Sequence, residues 1–361
     1  MKVAFYQESG EWTGSSRALA AAAEAFAEAG DSVRFIVPLD SRVQEHVAGR
    51  NYDVQTFDPR DWWITRMTRL RRLLREHGAE VVFVHTGSEH LIAAIAGRLA
   101  ARCAVVRRTP SGGHVALGWR TSLAARFAPS AFLFASEMEA RRALVPRKLG
   151  PTVASALGVR LPPAEEPHPP AEGEEPSTDA YHILCIYDGQ SRERTALPIR
   201  TVAQLAPRHP EIRITVVGPG SDAEEIRMHV AALDVLPRVD LLGERTDLAQ
   251  LMRGATYGWV ACMGDDAAFA MLDLMATGLP VIAQNDEPAR QYVLDGITGM
   301  LVHGEDANLA AGVLAGTLGR TEQVAAMSEA ARARVGREFA ESRMLEGFDQ
   351  AARAARRQPP G

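Results

Sequence analysis

The stretch GDDAAFAMLDLMATGLPVIAQNDEPARQYVLDGITGMLV, residues 264–302, decides how the rest of the chain is read. Two acidic residues precede an apolar segment, residues 267–276, whose end is marked by Gly278 and Pro280, and a short apolar run follows. That pattern predicts a helix, its C-terminus and a buried strand. Asp265 is expected in the entry loop and Asp273 about two turns into the helix. The first N–H groups of such a helix lie outside its own hydrogen-bond ladder and carry the positive end of its dipole, so they form a seat for a diphosphate. Carboxylates beside that seat accept hydrogen bonds from sugar and ribose hydroxyls. Taken alone, the adjacent pair Asp265 and Asp266 also reads as a helix N-cap with a dipole-friendly neighbour.

Outward from this stretch, β-rich runs such as VVFVH (81–85), CAVVR (103–107), AFLFA (131–135), ITVVG (214–218) and YGWVA (257–261) alternate with helical segments. Alternation of this kind predicts parallel sheets wrapped by helices, an α/β fold. Residues 161–180, LPPAEEPHPPAEGEEPSTDA, lose apolar periodicity and read as a Pro/Glu-rich interdomain linker. The expected organisation is a first domain at 1–160, the linker at 161–180, a second domain at 181–338 and a closing helical segment at 339–361, whose last residues, QPPG, fray.

With 361 residues, 46% hydrophobic and 24% charged, the chain has enough apolar material for two cores. A formal net charge of −5 argues against a general nucleic-acid binder, which needs a cationic surface. Cys103, Cys185 and Cys262 lie far apart, giving neither a disulfide framework nor a C-x-x-C metal site, and a reducing cytoplasm is the simplest home. The start of the chain lacks the charged, apolar and cleavage regions of a signal peptide, and no uninterrupted apolar run reaches membrane-spanning length. Residues 58–78 set Trp62, Trp63, Met67, Leu70, Leu73 and Leu74 among basic neighbours. This suits an interfacial helix, but equally an amphipathic helix packed on the first sheet with a solvated arginine face; the second reading is preferred, and peripheral membrane contact is not favoured.

Asp265 and Asp273, with Met275, Ala276, Gly278, Pro280, Val281, Ile282 and Ala283 in register and Asp295, Gly296, Gly299, Leu301 and Val302 downstream, resemble the signature of family 4 (group 1) retaining glycosyltransferases, where both aspartates are glutamates. The resemblance extends to the TGSS loop (13–16), VASALGVRLP (153–162), ILCIYDGQ (183–190), RITVVGPG (213–220) and VDLLGERTDLAQLMRGA (239–255). It implies the GT-B fold: two Rossmann-like, doubly wound parallel-sheet domains about a cleft, the first binding the acceptor, the second the donor, and a closing helix that crosses back to the first. It also implies metal-independent transfer of a sugar from a nucleoside diphosphate-sugar to a hydroxyl acceptor, with retention and without a cofactor. The acceptor would be a glycan, a lipid-linked sugar or a small molecule.

By this resemblance Asp265 would bind the transferred sugar and Asp273 the ribose, while the amides of residues 267–269, those of Ala268 and Phe269 among them, would cradle the diphosphate. Gly218, Gly220 and the 242–245 loop would border the base, and Gly14 and Gly189 would lie near the phosphates. Asp266 stays a cap. The family's G-R-L and following Lys, which neutralise the diphosphate, are replaced here by Gly189, Gln190 and Ser191, so Arg192 or Arg194 would substitute, with Arg194 nearest the Lys position. Ala268 stands where the family has glycine. The family's histidine in a T-x-H-G context falls near Pro110, leaving His114 as a candidate from a shifted loop or as a plain loop histidine. The expected catalytic set is Asp265, His114 and Arg194. Gly218 and Gly220 also read as a simple turn after a strand, and His85 and His90 as loop and capping residues. The rival reading is a catalytically silent relative serving as a binding or assembly partner; a nucleotide-sugar epimerase is weaker, because those enzymes lack this form of the signature.

Overall fold

The computed structural model describes residues 1–100, 103–113, 115, 118–162, 181–190 and 192–358, so His114, Ser191 and all but the first two residues of the 161–180 linker lie outside the described residues. The chain divides into two compact units, Met1–Gly158 with Glu341–Gly361, and Val159–Ala340.

Among the described residues the first unit holds seven strands: β1 (Lys2–Tyr6), β2 (Ser32–Pro38), β3 (Asp53–Phe57), β4 (Val81–Val84), β5 (Ala104–Arg108), β6 (Ser130–Phe134) and β7 (Thr152–Ala154). They form one parallel sheet in the order β3-β2-β1-β4-β5-β6-β7. Every residue of β4, β5 and β6 is buried, as expected of strands covered by helices on both faces. Phe5 of β1 sits in an aromatic cluster, its ring 5.1 Å from Phe83, 5.6 Å from Phe35 and 6.2 Å from Phe26. The C-terminal helix Glu341–Arg356 belongs to this unit: Phe348 lies 5.3 Å from Phe83, and Gly347 fits where a Cβ would fall 2.1 Å from Ser155 Oγ.

The second unit repeats the plan with β8 (His182–Tyr187), β9 (Arg213–Val217), β10 (Val239–Leu241), β11 (Tyr257–Ala261), β12 (Val281–Gln284) and β13 (Gly299–Val302). Their order is β10-β9-β8-β11-β12-β13, again parallel. This is the doubly wound order, in which the chain moves outward on one side of the first strand and then switches to the other. The two-domain, parallel-sheet α/β expectation therefore holds.

Much of the 264–302 signature is explained by the local fold. Helix Gly264–Ala276 ends at Thr277, and Gly278 takes φ +85° while its N–H reaches Met275 O (3.0 Å) and Leu279 N reaches Leu274 O (2.9 Å), a paired C-terminal cap. Further on, Asp295 Oδ1 accepts Leu301 N–H at 2.9 Å and Gly296 takes φ +72°. A Cβ on Gly299 would stand 2.1 Å from Val281 O, so these downstream positions build the turn into β13.

Residues 58–78 divide differently from expectation. Helix Trp63–His77 buries Leu70, Leu73, Leu74 and His77, but Trp62 and Trp63 at its start are 73% and 48% exposed. Only the C-terminal half packs on the sheet, because the apolar stripe there returns at helical spacing and the tryptophans precede it. Among the described residues no helix is long and apolar enough to cross a membrane.

Gly299→Ala should lower stability by about 3 kcal/mol, because the new methyl meets main chain that no rotamer change relieves. Gly304→Ala, at φ +65° with open space around the site, should cost only about 1 kcal/mol of backbone strain. Equal urea midpoints for the two variants would contradict this account of β13.

Candidate functional site

Ligands of doubly wound sheets bind beyond the C-terminal ends of the strands, where the strand order reverses. In the second unit that point lies between β8 and β11. Asp188, one residue past β8, stitches the two loops together: Oδ1 accepts Gln190 N–H at 2.9 Å and Oδ2 accepts Met263 N–H at 2.8 Å. Arg194, near the start of helix Arg192–Leu205, reaches across the same strand ends. Its Nη1 donates to Cys262 O at 3.1 Å and its Nη2 to Asp286 Oδ2 at 2.8 Å, so its guanidinium spans the ends of β11 and β12. Asp286 is itself fixed as a helix cap, Oδ1 accepting Ala289 N–H at 2.9 Å. The Cys262 thiol between them is pushed up by burial, with further help from the Asp188 charge, and stays protonated.

The helix of the signature begins earlier than its apolar pattern suggests. Gly264 is its first residue, at φ +58°, and the first intrahelical bond runs from Ala267 N to Met263 O (3.2 Å). Asp265 is thus not in an entry loop but is the second helical residue, and its side chain is buried, only 2% exposed. The turn whose amides lie outside the helix's own ladder is Gly264–Asp266, with Ala268 and Phe269 one turn further in and buried. The amides outside the ladder thus lie three residues upstream of the 267–269 expected from the apolar pattern, because the acidic first turn is itself compatible with helix. Asp273 lies eight residues beyond Asp265, about 12 Å along the axis, and is half-buried.

The structure distributes the remaining expected residues around this edge. Arg192 is exposed and pairs with Glu225, away from the Asp286–Cys262 end that Arg194 occupies. Gly189 (φ +79°) packs against Pro219 O, where a Cβ would stand at 3.0 Å, and Gly218 (φ +133°) rests on Tyr187 O, where a Cβ would stand at 1.9 Å. Gly218 and Gly220 (φ +71°) form the turn leaving β9, with Ser221 N–H donating to Gly218 O at 3.1 Å. Arg245, in the 242–245 loop, holds Asp247 through two bonds of 2.8 and 2.6 Å.

The first unit has its own switch point between β1 and β4, and Gly14 opens the helix beside it, Gly14–Glu28, behind a capping box of Thr13 and Ser16. Glu89 does here what Asp188 does in the second unit. Its carboxylate accepts N–H groups from Glu8 (2.7 Å), His85 (2.9 Å) and Thr86 (2.8 Å), although burial, the stronger effect, raises its pKa. His85 lies in the loop between β4 and helix Gly87–Ala100, as expected, whereas His90 is a helical core residue and not a cap. His85 Nε2 meets Ser15 O at 2.7 Å, and His90 is fully buried inside helix Gly87–Ala100, Nε2 3.0 Å from Ser130 Oγ. Burial, then the Arg107 charge, lowers His90 to about 3, leaving the ring neutral.

Sequence reasoning passed over Asp188, Asp286 and Glu89. An acid directly after a strand, as in IYDGQ, was the available signal for Asp188; Asp286 and Glu89 gave none, since their importance comes from partners distant in the chain.

Comparison with known proteins agrees with this geometry. The family described as "Glycosyl transferases group 1" matches residues 183–316, and "Glycosyltransferase Family 4" matches residues 12–143. A phosphatidyl-myo-inositol mannosyltransferase of Mycolicibacterium smegmatis is 30% identical over 139 residues, 38% of this chain and only 35% of that protein's length. From the same organism, a GDP-mannose-dependent alpha-(1-6)-phosphatidylinositol monomannoside mannosyltransferase is 25% identical over 297 residues, 74% of this chain and 75% of the relative. Among solved structures, a glycosyltransferase from Rickettsia africae superposes with TM-score 0.80 at 15% identity, over 99% of this chain and 100% of that one. HepE from Anabaena, in complex with UDP, does so with TM-score 0.76 at 17% identity, over 97% and 99%. The two sheets thus have the GT-B fold, and the chain belongs to the group 1, family 4 glycosyltransferases.

Proposed function

We propose that the protein transfers a sugar, with retention and without a metal ion, from a nucleoside diphosphate-sugar held by its second unit to a hydroxyl of an acceptor selected by its first. The observation that carries this reading is the meeting of a fixed cation and a helix N-terminus at one switch point: Arg194 bonds to Cys262 O, and two residues later helix Gly264–Ala276 begins. The nearby relatives supply the chemical class. One is named as GDP-mannose-dependent, and HepE has been solved with UDP and glucose.

In this reading the Gly264–Asp266 turn faces the diphosphate, whose leaving charge is stabilised by Arg194 and the helix dipole rather than by a metal. Asp286 keeps the Arg194 guanidinium at the strand ends, so little reorganisation is needed as charge builds on the leaving group. Asp265 accepts hydroxyls of the transferred sugar and Asp273 those of the ribose. Gly218 and Gly220 keep the loop beside the base low, Gly189 gives close backbone approach near the phosphates, and Gly14 does so in the first unit. Arg194 supplies the charge that Gln190 lacks, which supports an enzyme over a silent scaffold. Three buried, unbridged thiols suit the reducing cytoplasm. The acceptor hydroxyl belongs to a glycan, a lipid-linked sugar or a small molecule.

Calorimetry with UDP, GDP, ADP and dTDP should show binding of one nucleotide, equal with magnesium and with EDTA; strict dependence on magnesium would overturn the metal-free mechanism. With the donor so identified, Arg194→Ala should reduce kcat by about 10²- to 10³-fold, the usual loss when one preorganised donor to a developing charge is removed. Asp265→Asn should reduce sugar-dependent binding while leaving the affinity for free nucleotide unchanged. Wild-type turnover in Arg194→Ala would remove that residue from the mechanism.

A further inference from the structure

The first unit contains a pocket of about 390 Å³ lined by Gly87, Ser88, Arg107, Trp119, Arg120 and Thr121, with Gly118 at its edge. Two helices begin on it. Gly87 and Ser88 are the first residues of helix Gly87–Ala100, and Trp119, Arg120 and Thr121 open helix Trp119–Phe127, whose cap Gly118 makes no side-chain capping bond. Arg107, from β5, is more than nine-tenths buried. Its Nε donates to His85 O at 3.4 Å and its Nη1 to Thr121 Oγ1 at 3.2 Å; among the described residues Nη2 has no hydrogen bond and the guanidinium has no carboxylate within ion-pair distance. Glu89 acts on Arg107 through its charge, but its carboxylate oxygens are taken by three backbone N–H groups. Arg120 is exposed at the rim and lies 5.5 Å from the Trp119 ring.

Among the described residues no acidic side chain lines the pocket. Two guanidinium groups and two helix N-termini, the latter worth roughly half a charge each, less the Glu89 carboxylate in the first turn of one of those helices, leave a local charge near +2. A doubly charged phosphate balances that field better than a singly charged carboxylate, and the Arg fork matches its oxygens. Ser88 and Thr121 add hydroxyl groups beside the two cations. We propose that this pocket binds the phosphate of a phosphate-bearing acceptor, with Arg107 as the buried anchor and Arg120 as the rim cation. The inference rests on the reading of the first unit as the acceptor side of a glycosyltransferase, and names the class of acceptor.

The test is calorimetric titration of the full chain with inorganic phosphate and with glycerol 3-phosphate, alongside sedimentation with phosphatidylcholine vesicles with and without phosphatidylglycerol. Glycerol 3-phosphate should bind, and Arg120→Glu, an exposed position, should weaken it about tenfold or more. Arg107→Gln should weaken it by about a hundredfold while Arg107→Lys retains part of the affinity; should Arg107→Gln fail to fold by circular dichroism, Arg120→Glu decides. Arg120-dependent binding to phosphatidylglycerol vesicles that glycerol 3-phosphate displaces would assign the site to a lipid headgroup, and binding of glycerol 3-phosphate with no Arg120-dependent vesicle binding would assign it to a soluble phosphate. Absence of both kinds of binding in the wild type, or affinity unaltered in Arg120→Glu, overturns the proposal. Nucleotide binding is followed on the same samples: its absence in the wild type would count against the donor reading alone, and its persistence in Arg120→Glu would show that only the pocket was altered.

Discussion

Each half of this protein depends on one carboxylate holding two diverging loops together. When a parallel sheet reverses its strand order, the loops leaving the two central strands part, and their backbone N–H groups are left facing a gap. Glu89 closes that gap in the first unit by accepting N–H groups from the β1 and β4 loops. Asp188 closes it in the second by accepting from its own loop and from Met263 after β11. Burying Glu89 raises its pKa, so the three N–H bonds offset a real desolvation cost. The result is an edge at the C-terminal ends of the strands whose loops are fixed by the chain's own side chains.

On that edge the arginine and the helix act as one electrostatic unit. Arg194 alone would be a surface cation of small effect, since exposed charges are well solvated and their ion pairs contribute little. Held by Asp286 and by Cys262 O, and only 19% exposed, it keeps a fixed direction. The helix beginning at Gly264 adds its dipole in the same region, and Gly264 at φ +58° allows the sharp entry that brings the first turn to the strand ends. The acidic residues of that turn complement the dipole, which is why the helix starts before its apolar stripe does.

That difference shows what could be read from the sequence and what could not. Strand alternation, the C-terminal cap at Gly278 and the turn at Asp295, Gly296 and Gly299 are local patterns, and local patterns survive into the fold. The start of the helix is a contest between an apolar period that begins at Ala267 and an acidic first turn, and only tertiary packing around Asp265 settles it. Arg194 was legible as a cation near the family's Lys position. Its fixation was not, because Asp286 lies 92 residues away. The same holds for Glu89, whose bond to Glu8 spans 81 residues, and for Trp62 and Trp63, which share a hydrophobic segment with Leu70 and Leu73 yet point outward. His90 was misread for a related reason: its surroundings come from Ser130 and Phe132 on a different strand.

A contrast between Arg107 and four carboxylate-paired arginines bears on the chain's chemistry. Arg34 with Asp53, Arg66 with Glu8, Arg194 with Asp286 and Arg245 with Asp247 each meet a carboxylate at 3.0 Å or less. In these pairs a carboxylate of the chain fixes the direction of the guanidinium and offsets part of its desolvation cost, so its placement is explained within the chain. Arg107 is different: it is buried and donates only to neutral oxygens among the described residues. Burial lowers its pKa, with the Glu89 charge opposing, which records a cost that neutral acceptors do not fully offset. A fold that needed only packing at this β5 position would be served as well by an apolar side chain of similar volume, at no desolvation cost. Retention of the guanidinium, at a pocket where two helix N-termini already face inward, is therefore better understood through an anion from outside the chain than through stability.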